Sequence, residues 1–242
     1  STRKKIIIPL NLLEKATTHI KDGEFDLDLP VSREDEFGNL SRSFQHMAFR
    51  LNDLFREKEE QVRSLDILHR IRTAVGKSLS LEIMLQRVLE EMLTMEALSL
   101  KEKGAVFRFD REKGRLRLMA SYNFSSDQAA MCDGIDTGKC LCGLVAENRD
   151  LYYNPLASED PFHTLTYPAM LPHGHLILPL ESRDELLGVI CLYLESGDSL
   201  GDQDLELLKS AAGIVSVAMQ NAINHQEATK LAQRSEEHTS EL

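Results

Sequence analysis

The chain has 242 residues, of which 42% are hydrophobic and 28% charged, with 13 glycines and seven prolines. This ordinary globular composition excludes a chain that is fibrous or disordered throughout. The net charge of −11 argues against nonspecific nucleic-acid binding, and four cysteines are too few for a disulfide scaffold, which indicates a reducing compartment.

The N-terminal segment is predicted to form a short helix followed by an extended connector. Apolar residues recur at helical spacing through residues 6–22, and Gly23 ends the helix. Apolar residues alternate strictly with others from 25 to 31, which predicts an extended segment that packs one face on a neighbour. Pro30 argues against a regular central strand, and Asp35 is a suitable N-cap for a second helix.

The second helix is predicted to be long and to carry a coiled-coil seam. Its apolar residues alternate spacings of four and three, which is the pattern of a heptad repeat. The seam residues are Leu40, Phe44, Met47, Leu51 and Leu54. Because one helix cannot bury such a stripe alone, we expect a homodimeric, parallel helical bundle.

The first helix, the extended connector and the start of the second helix together resemble a known relay module. The residues that carry the resemblance are Pro9, Leu10, Gly23, Asp35, Glu36, Phe37, Gly38, Phe44, Met47 and Leu51. Residues 6–57 resemble a HAMP domain, the relay that follows the last membrane helix of bacterial receptors. The resemblance implies a HAMP domain at 1–57 and a coiled-coil linker helix at 58–77. The implied relay residues are Pro9, Glu36, Gly38, Phe44, Met47 and Leu51.

The same resemblance implies attachment to a membrane. No apolar run in the sequence approaches the roughly 20 residues that cross a bilayer. Arg3, Lys4 and Lys5 form a basic cluster where the cytoplasmic end of a membrane helix is expected. We therefore expect the cytoplasmic portion of a bacterial inner-membrane protein, attached through a transmembrane helix outside this sequence.

The second half of the chain is predicted to be an α+β unit. Ser80 caps an amphipathic helix, two strands flank a turn within 105–122, and a second hairpin covers 175–194. A last helix is predicted at 202–225. The order helix, hairpin, irregular middle, hairpin, helix predicts a sheet with helices on one face.

Three segments of this half resemble a GAF domain. They are residues 138–145 (Gly-Lys-Cys-Leu-Cys-Gly-Leu-Val), 172–175 (Pro-His-Gly-His) and 188–205, which begins Gly-Val-Ile-Cys-Leu-Tyr-Leu. The resemblance implies a GAF sensory domain at 78–225, with a central antiparallel sheet and flanking helices. The start of an output linker helix follows at 226–233. Residues 234–242 resemble a translated sequencing adaptor, and we expect them to be an artefact and not part of the natural protein.

Three cysteines cluster within eleven residues of this domain. Cys132, Cys140 and Cys142 lie in a glycine-containing stretch predicted to be strand or loop. The downstream imidazoles are those of His173 and His175, with His163 as a further candidate. Thiolates and imidazoles bind zinc or iron–sulfur clusters, so a metal site, a thiol redox switch and simple packing all remain open. Cys191 is predicted to be a small buried residue.

The sequence lacks the motifs of common enzymes, such as a phosphate-binding loop, Gly-x-Gly-x-x-Gly or His-Glu-x-x-His. The resemblances imply a non-catalytic fragment of a sensor histidine kinase or cyclic-di-GMP enzyme. In it, HAMP transmits helix motion, and GAF senses a small ligand, a metal or a redox state. The expected partners are a second copy of the chain, the signal and an output domain in the same protein. The alternative is a thiol-dependent enzyme similar to methionine-sulfoxide reductases of the GAF fold.

Overall fold

The computed structural model describes residues 6–76, 80–95, 100–167 and 170–240. The basic cluster at 3–5 and the predicted boundary between 77 and 78 lie outside these residues. The chain divides into two compact units, Ser1–Ser64 and Leu65–Leu242. None of the helices in the described ranges is both long enough and apolar enough to cross a membrane.

The described residues include six α-helices and six β-strands. The helices are α1 (Ile8–Lys21), α2 (Glu36–Gly76), α3 (Leu81–Leu93), α4 (Ser126–Cys132), α5 (Cys140–Asn148) and α6 (Asp202–Ser240). The strands are β1 (Gly104–Asp110), β2 (Arg115–Tyr122), β3 (Ile135–Asp136), β4 (Tyr152–Asn154), β5 (His173–Ser182) and β6 (Glu185–Glu195). A short 3-10 helix lies at Ala157–Glu159.

The first unit is held together by the extended connector between α1 and α2. Leu27 and Leu29 of the connector are buried. They form one cluster with Leu13 and Ala16 of α1 and with Ala48 of α2. Because alternate positions of an extended chain share one face, the predicted alternation is what packs the connector on both helices.

The start of α2 is fixed by contacts with the end of the connector. Asp35 accepts a hydrogen bond from the backbone N–H of Gly38, with 3.1 Å between N and Oδ1. Arg33 donates to the same carboxylate, with 3.0 Å between Nε and Oδ1, and this bond lowers the pKa of Asp35 to about 2. A Cβ at Gly38 would lie 1.9 Å from the carbonyl oxygen of Arg33. Only glycine therefore allows the connector to approach the helix so closely.

The predicted seam lies on a face of α2 that is largely open. Leu40, Met47 and Leu54 are 47%, 44% and 56% exposed. Phe44 and Leu51, which lie between them, are half-buried. Burial of a large apolar side chain stabilises a protein by about 1.5–3 kcal/mol. A row of such side chains along one helix therefore favours association with another surface.

The second unit is built on an antiparallel sheet with the strand order β3-β2-β1-β6-β5-β4. The predicted hairpins are present as β1–β2 and β5–β6. They are joined by pairing of β1 with β6, in which Val106 lies opposite Ile190. Helices α3 and α6 and the end of α2, through Ile67 and Ile71, cover one face of this sheet.

The opposite face is covered by α4 and α5, so the expectation of helices on one face only is wrong. These helices have seven and nine residues, too short to show a clear helical period. Cys132 therefore ends α4, and Cys140 and Cys142 lie in α5, instead of in a strand or loop. A Cβ at Gly143 would lie 2.4 Å from the carbonyl oxygen of Asp136. This glycine permits close packing of α5 on β3 and does not mark a loop.

Candidate functional site

A small cavity of about 30 Å³ lies between the sheet and helices α4 and α5. Phe107 and Ile177 of the sheet and all four cysteines of the chain contribute to its wall. A cavity needs about 10–15 Å³ for each water molecule it holds, so this one has room for about two or three groups of that size. A nucleotide or a larger organic cofactor does not fit in it.

Strand alternation directs two pairs of side chains to the cavity side of the sheet. His173 and His175 lie two residues apart on β5, and Cys191 and Tyr193 lie two residues apart on β6. His175 is paired with Tyr193 across the two strands. All four side chains are buried, so their polar atoms need partners within the protein.

Three imidazole rings converge beside this cavity. His163, in the loop after the 3-10 helix, has its Nε2 atom 3.2 Å from Nε2 of His175. Nε2 of His173 also lies 3.2 Å from Nε2 of His175. One ring nitrogen of each of the three residues lies within 4.8 Å of the other two. Within the described ranges, no other set of three or more histidine, cysteine or acidic side chains is close enough to hold a metal ion.

The second nitrogen of each ring has a different environment. Nδ1 of His173 lies 2.7 Å from the carbonyl oxygen of Leu171 and must donate, because a carbonyl oxygen only accepts. Nδ1 of His175 lies 3.4 Å from Sγ of Cys191. Nδ1 of His163 is buried and has no hydrogen-bond partner among the described residues.

Burial lowers the pKa of each of the three histidines. The effect is largest for His175, whose pKa lies well below its usual value because the ring is desolvated and faces two other imidazoles. Near neutral pH the three rings are therefore uncharged, and each has one N–H and one lone pair. This is the form in which histidine binds metal ions.

Three of the cysteines that line the cavity, Cys132, Cys140 and Cys142, are held as protonated thiols. Burial raises the pKa of Cys132 to about 12 and raises that of Cys140 above its usual value. A hydrogen bond with Cys191, together with burial, raises the pKa of Cys142 well above its usual value. Since the thiolate is the nucleophilic form of cysteine, this environment does not activate these residues for catalysis.

The structure brings the predicted cysteines and histidines to one region but divides them into two groups. In the described part of the chain, Cys132, Cys140 and Cys142 do not join the imidazole group as a set of metal ligands. They contribute to the cavity wall instead. The mixed cysteine and histidine ligand set, with zinc or an iron–sulfur cluster, stays a prediction.

The sequence carries only a weak signal for two contributors to the site. His163 is a further candidate and not a predicted site residue, because its loop carries no periodic pattern. Cys191 is buried as predicted, but it also contacts His175 and borders the cavity. The alternation that places Cys191 on the same strand face as Tyr193 was the signal for this role.

The predicted relay residues all lie in the first unit and are distributed over its interior and its seam. They are Pro9, Glu36, Gly38, Phe44, Met47 and Leu51. Pro9 is buried in the first turn of α1, and Phe44 packs against the core of the unit. Met47 is exposed on the seam face. α2 therefore carries both a residue that packs in the interior, Phe44, and residues of the open seam.

Two family models match the chain. Residues 78–220 match the model of the GAF domain, and residues 3–53 match that of the HAMP domain. A comparison with curated protein sequences gives no match.

Solved structures share the fold of the second unit. The GAF domain of an Acinetobacter phosphoenolpyruvate-protein phosphotransferase is 19% identical, with a TM-score of 0.58 over 66% of this chain and 94% of that chain. The corresponding domain from Coxiella burnetii is 21% identical, with a TM-score of 0.60 over 68% and 96%. A free methionine-R-sulfoxide reductase from Neisseria meningitidis, in complex with its substrate, is 15% identical, with a TM-score of 0.57 over 67% and 91%. At these identities the likeness extends to the fold alone.

Proposed function

Because the chain belongs to the GAF domain family and carries a HAMP domain ahead of its GAF domain, we propose that it is the input and relay part of a membrane-bound bacterial sensor. The HAMP domain passes helix motion along the chain. The GAF domain adds a second input from a small ligand, a metal ion or a redox change. The domains HAMP (1–57), linker helix (58–77), GAF (78–225) and output linker (226–233) are the units of this proposal.

The open seam on α2 is the observation that carries this proposal. Leu40, Met47 and Leu54 are each more than two-fifths exposed, at the heptad spacing of a coiled coil. A second copy of the chain in parallel register would bring the same residues together and cover both rows. The functional unit is therefore a parallel homodimer.

The course of α2 supports relay between the two domains. The helix runs without interruption from Glu36 to Gly76, and it contributes Ile67 and Ile71 to the core of the second unit. A small rotation or shift between two packings of the dimeric bundle would therefore reach the GAF core along a single helix. α6 continues the chain from the GAF core towards an output domain, of the histidine kinase or cyclic-di-GMP type.

Sensing is favoured over thiol catalysis by the chemistry of the cavity. A cysteine nucleophile needs a lowered pKa, whereas Cys132, Cys140 and Cys142 all have raised ones. The likeness to a methionine-sulfoxide reductase is a likeness of fold. It supports the GAF scaffold and does not carry over that reaction.

Sedimentation equilibrium of the purified chain at micromolar concentration tests the homodimer. We expect a dimer for the unchanged chain and a monomer for Met47→Lys, because a lysine in the seam places two charges between the helices. Phe49→Lys is the matched control. Phe49 is 62% exposed but lies at the outermost heptad position, so this variant should remain a dimer. A monomeric unchanged chain, or equal effects of the two variants, would contradict the proposal.

A further inference from the structure

We infer that the Nε2 atoms of His163, His173 and His175 bind one divalent transition-metal ion of the zinc and iron(II) class, with a further coordination position left for a small ligand. The claim that this ion is an input of the GAF domain rests on the proposed function. The claim that the three histidines bind a metal ion rests on geometry and hydrogen bonding alone. It differs from the predicted set because its three protein ligands are all nitrogen and come from a loop and one strand.

The distances between the rings match the spacing of ligands around such an ion. Zinc binds imidazole nitrogen at about 2.0–2.1 Å, so two nitrogens of a tetrahedral site lie roughly 3.3 Å apart. Nε2 of His175 lies 3.2 Å from Nε2 of His163 and 3.2 Å from Nε2 of His173. The three ring centroids are separated by 5.2, 5.2 and 4.8 Å, and one nitrogen of each ring lies within 4.8 Å of the other two.

The positions of the protons also favour a cation between the rings. His173 carries its proton on Nδ1, which donates to the Leu171 carbonyl, so its Nε2 has only a lone pair. If His175 donates from Nε2, this single N–H faces the Nε2 atoms of both His163 and His173. If it donates from Nδ1 to Cys191, two lone pairs face each other at 3.2 Å. A metal ion accepts all three lone pairs at once and removes this conflict.

Two of the three rings already have the outer hydrogen bonds that metal-bound histidines make. A ligating histidine usually donates its other N–H to a backbone carbonyl or a similar acceptor, which fixes the ring. The Leu171 carbonyl does this for His173, and Sγ of Cys191 is placed to do it for His175. His163 lacks such a partner among the described residues and comes from a loop. It is therefore the least firmly positioned of the three ligands.

The cavity gives the site its further ligand position. His163 and His175 both contribute to the cavity wall, so an ion held by their Nε2 atoms lies at its edge. A volume of about 30 Å³ admits water or a molecule of two or three atoms. Three histidines with one open position form a known type of zinc site, and imidazole also suits iron(II).

The site lies where a change could reach the output helix. His173 is paired with Glu195, the last residue of β6, and α6 begins soon afterwards at Asp202. Nearby, the N–H of Leu200 donates to the hydroxyl of Tyr153 on β4, with 2.7 Å between N and O. The gain or loss of a metal ion would therefore act on the strand ends that lead into α6.

Titration of the metal-free, reduced chain with Co²⁺ tests the site, because Co²⁺ reports its ligands by visible absorption. We expect one equivalent to bind per chain, with the absorption of a four- or five-coordinate nitrogen site, and Zn²⁺ to displace it. His163→Ala should weaken Co²⁺ binding at least tenfold and His175→Ala more strongly, while His69→Ala, on the exposed surface of α2, should leave it unchanged. Circular dichroism verifies that each variant is folded, and His163→Ala keeps the test decisive if His175→Ala does not fold.

Absence of stoichiometric binding, or equal binding by His163→Ala and His69→Ala, would overturn the inference. A sulfur-to-cobalt charge-transfer band would overturn it too, and would favour the cysteines as ligands. This titration does not depend on the dimer. A monomeric chain that binds Co²⁺ would contradict the proposed relay and leave the metal site standing, and a dimer that binds none would do the reverse.

Discussion

The two units of this chain differ in how much of their apolar surface they bury themselves. Among the described residues, the first unit has five buried apolar residues in its core. The second has 27 on one face of its sheet and 15 on the other. The first unit also leaves Leu40, Met47 and Leu54 open on α2. The second unit therefore buries a large apolar core within itself, whereas the first leaves a row of apolar side chains open, which the proposed homodimer would cover.

The largest expected effect concerns the large apolar core of the second unit. Leu85→Ala should lower the free energy of unfolding by about 2–5 kcal/mol, because Leu85 is fully buried and its loss leaves a cavity. Urea unfolding followed by circular dichroism measures this change. Ile83→Ala is the control: Ile83 is on the same helix but 52% exposed, so its effect should be far smaller. Equal effects would contradict the division between core and surface in this unit.

A smaller effect is expected at the junction that shapes the first unit. Gly38→Ala gains about 1 kcal/mol of helix propensity, but its Cβ would lie 1.9 Å from the carbonyl oxygen of Arg33. The cost of this steric overlap should exceed the gain in helix propensity, with a net loss of about 1–3 kcal/mol of unfolding free energy. Gly213→Ala makes the same substitution inside α6, where no atom lies within 4 Å of the added Cβ, and should be stabilising. Thermal unfolding distinguishes the two, and a stabilising Gly38→Ala would show that the contact is not required.

The elements of the fold with a clear period could be predicted from the sequence. The alternation in the connector and the heptad spacing in α2 predict the extended segment and the long helix of the first unit. The two predicted hairpins correspond to the four longest strands of the sheet. Helices α4 and α5 could not be predicted in this way. They are short, and Gly143 in α5 resembled a loop signal although it serves the close packing of the helix on Asp136.

The candidate site could be predicted only in its strand-borne part. His173 and His175 share a strand face, and their spacing of two residues is visible in the sequence. The position of His163 depends on a loop path that brings a residue ten positions before His173 back to the same point. Cys191 has an apolar neighbourhood in the sequence, so its contact with His175 depends on the pairing of β5 with β6.

Disulfide crosslinking of cysteines introduced in the seam tests the central claim, a parallel homodimer formed through α2, most directly. In a parallel coiled coil the Met47 positions of the two copies face each other, within reach of a disulfide. Met47→Cys should therefore give a covalent dimer under mild oxidation, at a yield that does not fall on dilution. Phe49→Cys, at a position that is more exposed to oxidant but lies on the outer face, should give little. Similar crosslinking at both positions, or none at Met47, would contradict the dimer on which the relay depends.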